Sequence, residues 1–356
     1  MASFQPGLEL CRGFFSEVVQ PLLGAQFPAL PYAAARIGSG SDVLGFDTAM
    51  SMDHDWGPIL QLFLRDADRG MAPAIRELLG RELPHAYAGH AVAIGQPPAA
   101  AAGPVRHRVT VTAARDWARE QLAWDIDRPF EAADWLSISS QILLETTAGA
   151  VYHDGVGELS ALRKQLDYYP RDIWLYLLAA GWRRIGQEDH LMARAGLVGD
   201  ELGAAVIGSR LIRDIMALAF LIERRYAPYP KWFGTAFGRL ACAADLTPAL
   251  QGIAQAGDWE ARQAELVAAS RQLARMHNRL GVTAPLAEDP APFHDRPFLV
   301  IQADRFAEAL CRAIADPAVA QLAARPLIGS IDQISDNTDV RSNVALRPIL
   351  RRLYEV

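Results

Sequence analysis

The chain opens on helical spacing. Leu8, Cys11, Phe14, Phe15, Val18 and Leu22 fall on one side of an amphipathic helix over Leu8 to Leu23, which Pro28 and Pro31 stop. Ala33 to Ile37 is a short apolar run suited to a buried strand, and a second strand is expected from Asp55 to about Arg65. Met71 to Leu83 reads as a helix burying Ile75, Leu78 and Leu79. Ala88 to Ile94 reads as a strand, and Gly95 to Gly103 (GQPPAAAAG) as a loop. Arg106 to Thr112 (RHRVTVT) alternates polar and apolar, the clearest strand pattern in the chain. The order helix, strand, strand, helix, strand, strand predicts a domain built on a small mixed sheet.

After Arg115 the period changes to that of helices. Leu159, Leu162 and Leu166 share a face, as do Ile173, Leu177, Leu178 and Trp182, and Leu211, Ile215, Leu218 and Leu221. Trp259 to Arg279 continues the pattern until Gly281. Four prolines mark Thr283 to Pro297 as a surface crossing, and Phe298 to Ile314 reads as an extended piece running into a helix. The expected class is α+β: a mixed-sheet domain over residues 1–128, then an α-helical bundle over 129–356 with an acidic loop (GSIDQISDNTDV) near its end.

Composition narrows the partners. With 356 residues, 51% hydrophobic and 21% charged, the chain can bury about two cores without staples. A net charge of −6 and a pI near 5.8 argue against nucleic acid as a partner. Cys11, Cys242 and Cys311 are too scattered for a metal site and read as free thiols of a reducing compartment. The first residues lack signal-peptide character, and the apolar run Met216 to Ile222 is bracketed by charges. A cytoplasmic protein with no membrane span is expected.

The candidate chemistry sits in Arg36 to Pro58, RIGSGSDVLGFDTAMSMDHDWGP, a polar, glycine-rich stretch between two apolar segments. A P-loop fails because Phe46 and Asp47, not Lys and Ser/Thr, follow Gly45. A dinucleotide fingerprint fails because Val43 stands where its last glycine is needed. On a strand, Asp53 and Asp55 would face one side with Cα atoms about 7 Å apart, a pairing suited to a shared divalent cation. Gly40 and Ser41, at a helix start, would offer free N–H groups and a hydroxyl to an anion. His54, between the aspartates, would point to the opposite face and reads as structural.

Gly40-Ser41 and Gly45, with eleven residues between Ser41 and Asp53-His54-Asp55, resemble the signature of the nucleotidyltransferase fold shared by enzymes from polymerase beta to antibiotic adenylyltransferases. The resemblance implies that Gly40 and Ser41 hold NTP phosphates at the start of a helix. It also implies that Asp53 and Asp55, opening the next strand, bind one or two Mg²⁺ ions as catalytic and metal residues. Most of the chain is similar to a bacterial family defined by G-S-D-V-L-G-(F/Y)-D and S-x-D-H-D-W-G-P motifs before a helical domain, here Gly40 to Asp47 and Ser51 to Pro58. Val151 to Leu240 (YHDGVGEL, LDYYPRDIW, RRYAPYPKWF) resembles that family's second domain.

Many active relatives carry a third carboxylate on a later strand, and Arg106 to Thr112 has none. Asp154, Asp332, Asp336 and Asp339 are the candidates to replace it. Lys231, the only lysine after Lys164, lies in a proline-bounded segment and is a candidate triphosphate partner in the cleft that the resemblance implies; Arg36 is another. The expected activity is Mg²⁺-dependent transfer of an NMP group from an NTP to a hydroxyl of a small molecule or protein. The alternative is a non-catalytic nucleotide-binding or regulatory module, for example one half of a toxin–antitoxin-like pair.

Overall fold

The computed structural model describes residues 4–52, 55–93 and 106–355. The chain divides into two compact units, Met1–Phe130 with Ile142–Asp167, and Glu131–Gln141 with Tyr168–Val356.

The first unit is built on a four-stranded mixed sheet. Its order is Val109–Ala113, Leu60–Leu64, Tyr32–Arg36, Ala150–Asp154. Tyr32–Arg36 runs antiparallel to both neighbours, with Ala34 opposite Leu62 and Arg36 opposite Ala150. Val109–Ala113 lies parallel to Leu60–Leu64. Side chains alternate across a strand, so Tyr32, Ala34, Leu60, Leu62, Leu64, Val109 and Val111 share the sheet face that forms a core with Phe14, Phe15, Val19, Leu23, Ile75 and Leu79. At roughly 25 cal/mol per Å² of apolar surface removed from water, this face is what makes the short strands stable. The N-terminal helix runs over Gly7–Phe14, changes to a π-turn at Phe15–Val19 and resumes over Gln20–Gln26.

Three sequence expectations change here. The second strand starts at Leu60, not at Asp55, because Gly57 (φ +123°) and Asp55 (φ +49°) break extended geometry ahead of it. The expected strand over 88–94 resolves into a two-residue pairing of Ala86–Tyr87 with His90–Ala91, while Ile94 lies outside the described residues. A single boundary after residue 128 is replaced by three crossings, after Phe130, Gln141 and Asp167, because Ala150–Asp154 returns to the sheet as its fourth strand.

The second unit is helical, as its spacing predicts. Arg171–Leu197 and Glu201–Ile222 are joined by a tight turn with Gly199 at φ +83°, and Asp200 caps the second helix through Gly203 N. Ala243–Gln255 and Trp259–Arg279 complete the bundle. Trp182 is fully buried, stacks on Phe306 at 4.2 Å and donates through Nε1 to His277 Nδ1 at 3.2 Å. The buried indole N–H is thereby satisfied.

Candidate functional site

The connection between Arg36 and Leu60 is too long for an ordinary hairpin, and its shape depends on one guanidinium. Arg36 is 2% exposed. Its Nε and Nη2 grip the Asp42 carboxylate at 2.8 Å each, a bidentate pair. Nη1 donates to Ile37 O at 3.1 Å, and Nη2 also donates to Ser39 O at 2.8 Å and Asp55 O at 2.7 Å. Burial raises the Asp42 carboxyl above its ordinary range, and the Arg36 charge opposes that rise. One side chain therefore ties the glycine turn at Ser39 to Asp55, sixteen residues further on.

Gly40 is required by this knot. Its φ is +139°, and a Cβ would stand 2.2 Å from Arg36 Nη2, 2.3 Å from Asp42 Oδ1 and 3.1 Å from Asp55 O. Residues 41–45 form a turn, closed by Leu44 N to Gly40 O, Gly45 N to Asp42 O and Phe46 N to Ser41 O. No helix follows, which corrects the expectation that Gly40-Ser41 opens one. The Ser41 hydroxyl is buried and meets no partner among the described residues.

Asp55 is exposed, and its carboxylate accepts from Ser39 Oγ at 2.9 Å. Its left-handed backbone places it in a loop, so the period-two argument for two carboxylates on one strand face does not hold. Asp53 and His54 lie outside the described residues. Fixed partners hold the segment after Asp55: Arg108 Nη1 donates to Trp56 O at 2.8 Å and Cys11 Sγ to Gly57 O at 3.1 Å. Burial pushes the Cys11 thiol up to about 11. Asp47 accepts from Gly7 N at 2.7 Å and Trp56 Nε1 at 3.1 Å, joining the N-terminal helix to the loop.

Among the candidates for a third carboxylate, Asp154 is occupied as a cap. It accepts from the backbone N–H groups of Val156, Gly157 and Ser160 and from the Ser160 hydroxyl at the start of the Glu158–Gln165 helix. Its carboxyl is lowered; burial, the largest influence, pushes it up and these hydrogen bonds outweigh it. Asp154 pairs with Ala33 and Ala150 with Arg36, so Asp154 sits at the far end of its strand, about 10 Å from the loop at 3.3 Å per residue. His153 packs against Tyr32 and Phe15. In the second unit, Asp332 accepts from Ser140 N at 2.7 Å and Arg341 Nη2 at 2.5 Å, Asp336 pairs with Arg213, and Asp339 is exposed in the first turn of Thr338–Ser342. Lys231 is exposed in the first turn of Pro230–Phe237, with Nζ 5.1 Å from the Trp232 ring centroid.

Sequence reasoning missed Ser39 and Asp42. The signal for Asp42 was an arginine ending a buried strand with an aspartate six residues on, across two glycines. Among the described residues no three His, Cys, Asp or Glu side chains form a metal-binding group, and no helix is long and apolar enough to cross a membrane.

Residues 135–233 match the family model described as "Domain of unknown function (DUF4037)". No curated protein matches the chain. A solved structure, a nucleotidyltransferase-like protein from Exiguobacterium sibiricum, is similar at 14% identity and a TM-score of 0.32, over 81% of this chain and 83% of that one.

Proposed function

We propose that the protein is a nucleotidyltransferase that moves an NMP group from an NTP to a hydroxyl of a small molecule or protein, releasing pyrophosphate. The supporting observation is the Arg36 knot, which makes neighbours of the glycine turn and Asp55, with Ser39 Oγ on the Asp55 carboxylate at 2.9 Å. In this reading Gly40 makes room for the Arg36–Asp42 pair that fixes the turn, and the unpartnered Ser41 hydroxyl donates to a phosphate oxygen. Asp55, exposed and with a single hydrogen-bond donor on its carboxylate among the described residues, keeps lone pairs for Mg²⁺. Asp53 joins it as the second metal carboxylate. Bound Mg²⁺ supplies charge neutralisation to phosphoryl oxygens. Arg36 is a positioning residue, because the loop already takes up its donors.

A second reading, a nucleotide-binding regulatory module, is favoured by one observation. The strand beside Leu60–Leu64 presents Thr110 and Thr112, not a carboxylate, on the face opposite its buried valines. Pyrophosphate release separates the two. With Mg²⁺, each NTP and a panel of hydroxyl acceptors, the transferase reading expects acceptor-stimulated release that falls roughly 100-fold or more in Asp55→Asn. Saturable NTP binding without release across the panel supports the module instead.

A further inference from the structure

The helical unit contains a cavity that the proposed chemistry does not use. Ala180, Arg183, Arg184 and Gln187 recur at i, i+3, i+4 and i+7 along Arg171–Leu197 and line a space of about 810 Å³. Glu308, Cys311 and Arg312 on the Asp304–Arg312 helix form a second wall, and the segment 323–328 with Gln333 and Ile334 forms a third. The volume lies within the roughly 300–1,000 Å³ of small-molecule sites.

The wall carries four guanidinium groups and one carboxylate. Arg183 is offset by Asp304 at 2.7 Å and Arg184 by Asp214 at 3.2 Å. Arg312 is mostly exposed and meets Glu308 only at 3.6 Å. Arg325 donates to two neutral groups, Leu353 O and Glu355 O, and has no carboxylate partner among the described residues. Two positive charges are thus left weakly balanced beside an apolar rim, where Ile328 and Ile334 are 40% and 43% exposed. Guanidinium groups suit planar or tetrahedral oxyanions, which they bind through paired N–H donors.

We propose that this cavity binds a small organic anion, its phosphate or carboxylate held by Arg312 and Arg325 and its apolar body set against Ile328 and Ile334. The proposal stands whether or not the glycine loop transfers nucleotides. Cys311 gives a local readout, because it is half-buried in the cavity wall while Cys11 and Cys242 are buried. In the full chain, phenyl phosphate, benzoate and inorganic phosphate are titrated while the reaction of Cys311 with a neutral thiol reagent is followed. One of the two ring probes should bind at submillimolar concentration and slow Cys311 labelling. Phenyl phosphate doing so assigns a phosphate ligand, benzoate a carboxylate. Arg312→Gln should weaken that probe about tenfold, the equivalent of one charge-assisted hydrogen bond. Arg325→Gln tests the second donor, and its unfolding midpoint is measured alongside because it frees two carbonyls near the C-terminus. No protection of Cys311 by either ring probe at millimolar concentration overturns the proposal, as does protection that is unchanged in Arg312→Gln.

Discussion

Arg36 decides the shape of the candidate site. Its charge and Asp42 are buried together, so removing either one strands the other. Arg36→Met should therefore cost about 3–5 kcal/mol in urea unfolding, and Arg36→Met/Asp42→Leu should recover part of it, because the buried charge is gone although the carbonyls of Ser39 and Asp55 still lack a donor. Equal stability of the single and double variants would contradict this. The glycine-serine spacing marked the turn at Gly40, although not its use there, which is to make room for the Arg36–Asp42 pair. Asp42 was not legible, since its role depends on the chain turning back to meet Arg36. The left-handed backbone of Asp55 was hidden too: the alternation that marks Leu60–Leu64 was extended through a segment whose conformation is set by Arg36, Arg108 and Cys11 from elsewhere in the chain.

At the scale of elements, the strand Ala150–Asp154 escaped the sequence reading because all five of its residues are half-buried, so no apolar alternation marks it. Its last residue is a cap rather than a metal ligand. Asp154→Ala should lower stability by about 1–2 kcal/mol and leave pyrophosphate release per folded molecule unchanged. Loss of turnover in a folded Asp154→Ala protein would return this residue to the site. Two buried groups of the helical bundle work against each other in pH. Burial raises Asp189 on Arg171–Leu197 to about 7, with Asp304 adding to the rise. Its stabilisation is complete below the unfolded value near 4 and is lost as pH rises to 7. Burial lowers His277 to about 4, so the unfolded chain binds the extra proton and stability rises between pH 4 and about 6.5. The two slopes oppose across that window. Asp189→Asn should leave unfolding free energy rising more steeply with pH than in the parent, and His277→Gln should leave it falling more steeply. Parallel pH profiles for all three proteins would refute both assignments.

Across the whole molecule, the α+β division into a mixed sheet and a helical bundle was readable from the change of period near Arg115. The interleaving of the two units was not, because it requires long-range pairing of Tyr32–Arg36 with Ala150–Asp154. Each unit carries a distinct candidate for anion recognition: a hydroxyl and carboxylate loop in the first, an arginine-walled cavity in the second. The central claim concerns the first. Calorimetric titration of Mg²⁺ and each NTP into the parent protein and Asp55→Asn tests it most directly. We expect at least one nucleotide to bind the parent at submillimolar concentration, only with Mg²⁺ present, and to lose about tenfold or more in Asp55→Asn. Binding that is independent of Mg²⁺ and equal in the two proteins would contradict the account.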